Sequence, residues 1–132
     1  MNAPILLPAT LATAGALGLI YAVLSIRVIQ ARLKYRISLG DGGNADMQSR
    51  IRSHANLMEY VPLLLVLMAL LELSGVSGAV LGYAGAALVI FRVLHPIGIP
   101  PRVPNFFRFT GTVGTFLLLL SGSVYALVLA LT

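Results

Sequence analysis

Two uncharged apolar runs, Ile5 to Ile26 and Phe109 to Thr132, constrain this chain more than any other feature. A bilayer's hydrocarbon core takes about 20 apolar residues per helix, and each run is of that order. The chain has 132 residues, 58% of them hydrophobic and only 10% charged, which is more apolar surface than a soluble domain of this length can hide. Lipid is therefore its solvent. Two shorter spans complete the set. Tyr60 to Leu71 reaches across only when extended backwards through Glu59 and Asn56 towards Arg52. Val76 to Phe91 continues past Arg92 towards His95, ahead of the prolines at 96, 100, 101 and 104. The expectation is one all-α domain over residues 1–132, a bundle of four transmembrane helices near 4–34, 47–73, 77–95 and 104–131. Gly40 to Asn44 supply a loop after the first helix, and Ser74, Gly75, Ser77 and Gly78 a tight hairpin after the second.

If the helices alternate in direction, the basic residues gather at one membrane face. Arg27, Arg32, Lys34, Arg36, Arg50 and Arg52 flank the first connection, and Arg92, Arg102 and Arg108 the third. The positive-inside rule then puts the basic loops in the cytoplasm, with both termini and the Gly75 hairpin outside. This describes an integral membrane protein, of the inner membrane if the source is bacterial. The net charge of +5 is explained by topology and anionic lipid headgroups, so no nucleic-acid partner is expected. No Lys or Arg precedes the first apolar run, which favours an uncleaved span over a signal peptide. The absence of cysteine excludes a disulfide framework, a protein thiol nucleophile and a thiolate metal site. Two histidines, His54 and His95, are too few for a metal centre.

The second helix carries residues that do not belong in lipid. At 100° per residue, Arg52, Asn56 and Glu59 fall within one narrow stripe. A carboxylate at such depth costs roughly 3 kcal/mol on insertion scales, so Glu59 needs a partner, and Arg52 lies two turns away on the same side. Such a stripe can simply fix register against a neighbouring helix, or it can line a polar cavity. His54 falls on the opposite face, near Arg50, as an interfacial residue. Pro62 removes a backbone hydrogen bond and is expected to kink the helix above Glu59 and Tyr60. Arg32, Lys34, Arg92 and Arg108 approach the same membrane face. Several guanidinium forks around a buried Asn and Glu suit a small, multiply anionic, water-soluble ligand, with a lipophilic second substrate supplied by the bilayer.

The string Arg52-x-His54-x-Asn56-x-x-Glu59-Tyr60-x-Pro62 resembles the signature of the MAPEG superfamily, the membrane-associated proteins of eicosanoid and glutathione metabolism. Its members include microsomal glutathione transferases and the leukotriene and prostaglandin E synthases. Length, span number and the arginine-rich first connection agree with it. The resemblance implies a homotrimer with glutathione bound between subunits near the cytoplasmic side. It implies Arg32, Arg52, Asn56, Glu59, Tyr60 and His95 as binding residues, and Arg108 as the catalytic cation that holds glutathione as thiolate. A cation beside sulfur lowers the thiol pKa, and the nucleophile would arrive with the cosubstrate. Ile99, Phe109, Thr112 and Ala55 depart from residues that part of the family carries, which leaves glutathione ligation better supported than any named reaction.

The same residues also fit a MAPEG-fold scaffold that binds a ligand or partner without turnover, or a small four-helix transporter with Glu59 as a proton-coupled site. A paired Arg52 argues against the last of these, because it would hold Glu59 ionised. Gly82 with Gly85 and Gly111 with Gly114 permit close helix contact within or between chains, and identify no interface by themselves.

Overall fold

In the computed structural model, which describes residues 4–98 and 105–132, the chain is four helices: α1 (Pro8–Tyr35), α2 (Ala45–Leu73), α3 (Gly78–Ile97) and α4 (Phe106–Leu131). Each is long and apolar enough to cross a bilayer, and the protein is an integral membrane protein of four spans. Arg102 and the prolines at 100, 101 and 104 lie outside the described residues. Among the described residues every pair of helices packs together except α1 with α4, so α2 and α3 occupy the middle and α1 and α4 opposite corners.

The helix ends follow local chemistry. Pro8 opens α1, where its missing N–H and fixed φ suit the first turn. Asn44 and Asn105 cap α2 and α4, their side-chain oxygens accepting from Met47 N at 2.9 Å and Arg108 N at 3.0 Å. α2 stops at a Gly75 with φ +87°, where Val76 N donates to Leu71 O and Gly75 N to Glu72 O, both at 3.1 Å. This is a Schellman ending, and its usual apolar contact is present, since Val76 packs on Leu71, Met68 and Leu81.

Both prolines inside helices are accommodated without a break. α2 is continuous through Pro62, which is exposed and leaves the Met58 carbonyl without its helical donor. α3 passes Pro96 and ends one residue later, with Gly98 N donating to the Leu94 and His95 carbonyls at 3.2 Å. Proline in a last turn forfeits a single bond, so the helix need not end before it.

The core has two parts. Leu17, Leu24, Leu57, Val61, Leu64 and Leu88 fill the centre, and Ala9, Met68, Leu71 and Leu81 fill the end near the Gly75 hairpin. Two close approaches pull α3 onto its neighbours. A Cβ on Gly85 would collide with the Thr13 side chain of α1, and one on Gly114 with the Phe91 ring.

The first turn of α1 has no side-chain cap of its own and no acidic residue. Glu72, at the far end of α2, supplies one: Oε1 accepts from Ala9 N at 2.9 Å, and Oε2 from Thr10 N at 2.9 Å and Thr10 Oγ1 at 2.7 Å. A carboxylate at a helix N-terminus satisfies orphan donors and complements the macrodipole. Glu72→Ala is expected to destabilise the protein by about 1–2 kcal/mol, read as earlier unfolding in detergent. Thr10→Val, which loses only the hydroxyl bond, should cost about half as much.

Candidate functional site

At the end of the bundle opposite Glu72, three helices meet around one buried cation. Arg92 of α3 is only 2% exposed. Its Nη1 donates to Asn56 Oδ1 of α2 at 2.7 Å, and its Nη2 to the Gly111 carbonyl of α4 at 2.7 Å. Thr115 Oγ1 donates to that same carbonyl at 2.8 Å. The guanidinium reaches it because Gly111 has no side chain: a Cβ there would stand 2.7 Å from the Phe91 carbonyl and 3.0 Å from His95 Cβ. Arg92 Nε has no hydrogen-bond partner among the described residues.

Guanidinium only donates, so the Asn56 oxygen must face Arg92, and the amide has only its NH₂ left to offer elsewhere. The stripe on α2 is thus divided between two partners. Asn56 belongs to Arg92, whereas Glu59 Oε1 lies 3.5 Å from Arg52 Nη1 across two turns of its own helix. That second pair is open, with side chains 58% and 44% exposed. Tyr60 stacks edge-on against Phe116 of α4, with ring centroids 5.2 Å apart. His95 is buried one turn beyond Arg92.

Arg52, Asn56, Glu59 and Tyr60 on α2, His95 near the end of α3 and Arg108 in the first turn of α4 all lie towards this end of the bundle. Arg108 is exposed in the first turn of α4, where Asn105 caps its backbone. Arg32 is engaged elsewhere: its Nη1 donates to the carbonyls of Ile37, Ser38 and Gly40 at 3.3, 3.1 and 3.3 Å, holding the loop after α1. His54 faces α1, with its ring 5.0 Å from that of Tyr21. Phe109 is exposed and Thr112 half-buried, while Ile99 lies outside the described residues. No cluster of three or more potential metal ligands occurs among the described residues.

Arg92 is the residue whose part the sequence does not single out. By position it is one more helix-end cation, and the signal available is the pair Gly111 and Gly114 three residues apart on α4, which opens room for it. An apolar cavity of about 270 Å³, lined by Leu64, Met68, Val80, Leu88, Leu118 and Tyr125 among others, lies in the half of the bundle nearer the hairpin and includes none of the clustered polar residues.

The profile of the MAPEG family matches residues 10–128. The inner membrane protein YecN of Escherichia coli strain K12 is 36% identical over 92 residues, which cover 64% of this chain and 70% of that protein. The protein of the same name from Escherichia coli O6:H1 matches to the same extent. No solved structure matches this chain.

Proposed function

Because the chain belongs to the MAPEG family, we propose that it is a glutathione-dependent membrane transferase or peroxidase acting on lipophilic electrophiles or hydroperoxides. The observation that carries this is the exposure of Arg52 and Arg108 at the end of the bundle where buried Arg92 is hydrogen-bonded to half-buried Asn56. Glutathione, the substrate of this proposal, has two carboxylates, an ammonium and a thiol. The open guanidinium groups suit its anionic ends, Glu59 suits its ammonium, and Asn56 offers a fixed amide donor. Arg108 is the group we assign to the sulfur. A cation there favours thiolate over thiol and leaves the protein, which has no cysteine, to contribute position and electrostatics. The hydrophobic partner would come from the bilayer.

The charge distribution supports a cytoplasmic placement of the basic end, with both termini outside. Likeness to a protein named for the inner membrane supports that membrane as the location. A homotrimer, with the open side of the cluster completed by a neighbouring copy, is part of the same proposal.

Ultraviolet absorbance of glutathione thiolate, titrated into detergent-purified protein at neutral pH, tests it. A saturable signal is expected, with the thiolate fraction about tenfold or more lower in Arg108→Ala, the effect of losing one pKa unit or more of stabilisation. An unchanged signal in that variant excludes Arg108 as the cation at the sulfur. Absence of both signal and binding leaves a scaffold of the same fold.

A further inference from the structure

Arg27 stands at the mouth of a groove between α1 and α3 whose volume is about 280 Å³. Leu24 is its floor, only 4% exposed, and Leu19, Val23, Val93 and Ile97 form its rims, exposed by between 44% and 72%. Helices rise about 1.5 Å per residue, so Arg27 lies about 28 Å along α1 from Pro8, level with the end of the 20-residue α3. A bilayer's hydrocarbon core is about 30 Å thick, so the apolar groove runs inside it and the guanidinium sits at its boundary.

None of the protein's four acidic residues contacts that guanidinium. Of its four acidic residues, Asp46 pairs with Arg50 and accepts from Tyr35, and Glu59 pairs with Arg52. Asp41 accepts from Gly43 N, and Glu72 caps α1 at the opposite end. The Arg27 side chain makes no hydrogen bond or ion pair among the described residues. Its neighbour Arg50, already paired with Asp46, donates to the Arg27 carbonyl at 3.1 Å.

We infer that this groove is a binding site for an anionic glycerophospholipid, with one acyl chain along Leu24 and the phosphate on Arg27. The ligand's two chemistries match the site at the right depth: an apolar chain for the part inside the hydrocarbon, and an anion for an exposed, unpaired cation at its edge. A zwitterionic lipid presents the phosphate together with a cation of its own, which Arg27 repels. The groove shares no residue with the proposed glutathione site, so either can fail without the other.

Native mass spectrometry of detergent-purified protein, titrated with phosphatidylglycerol or with phosphatidylcholine of the same acyl chains, tests the site. One phosphatidylglycerol per chain is expected to bind about tenfold more tightly than phosphatidylcholine. Arg27→Gln should abolish the preference, Arg27→Lys should restore most of it, and Arg36→Gln, which removes an exposed cation outside the groove, should leave it intact. Val23→Phe, at a rim position, should weaken both lipids by obstructing the chain. Equal binding of the two lipids, a preference that survives Arg27→Gln, or cross-linking that puts a second copy of the chain in the groove would overturn the assignment.

Discussion

Asn56→Leu is expected to cost about 2–3 kcal/mol of stability, more than its half-buried position suggests, because it strands one arm of a buried guanidinium. Arg92 is held by two acceptors and already has an unpaired Nε. Taking away one acceptor leaves a positive charge in low dielectric with the Gly111 carbonyl alone. Arg92→Met should cost less, because it removes the charge along with the bonds and keeps an unbranched chain in the space. The double variant is the decisive comparison. If the desolvated charge is the source of the cost, Asn56→Leu with Arg92→Met should be more stable than Asn56→Leu alone, measured by chemical denaturation in detergent. If the two changes merely add, the pair is held by packing and the charge is incidental.

Gly111→Ala should be worse than Gly114→Ala, although both positions are buried on the α4 face that meets α3. At Gly114 the three atoms nearest the added methyl all belong to the Phe91 ring, the end of a side chain that can swing aside. At Gly111 it meets the Phe91 carbonyl at 2.7 Å and His95 N at 3.1 Å, which move only if the two helices separate. Separation would lengthen the Arg92 bond to the Gly111 carbonyl as well. Overpacking of this kind costs about 1–3 kcal/mol, and the upper end is expected at Gly111. Phe91→Leu should recover most of the loss in Gly114→Ala and little of that in Gly111→Ala. Equal rescue of both would show that the ring, not the backbone, limits the approach.

The architecture is legible in the sequence because lipid imposes a simple rule on composition, and four apolar stretches of span length leave few alternatives. The charge pair on α2 is legible too, since Arg52 and Glu59 sit seven residues apart on one helix, a spacing that periodicity resolves. The partner of Asn56 is not, because Arg92 lies 36 residues away on another helix and nothing in local spacing says which cation turns inward. Arg32 illustrates the reverse case. Its place at a helix end and its guanidinium suit a ligand, but the loop's own carbonyls are nearer, and the turn at Arg36, with φ +55°, brings them within reach. Glu72 is hidden for the same reason as Arg92, since its value lies in a contact 62 and 63 residues back along the chain.

That contact bears on how the protein enters the membrane. A helix whose first N–H groups lie unpaired at the edge of the hydrocarbon depends on water or a side chain to satisfy them. α1 brings no carboxylate or capping side chain to that end, and the group that satisfies it emerges only when α2 has been threaded across. The start of α1 and the end of α2 are thus completed only as a pair, and a chain that holds α1 alone leaves that first turn to interfacial water.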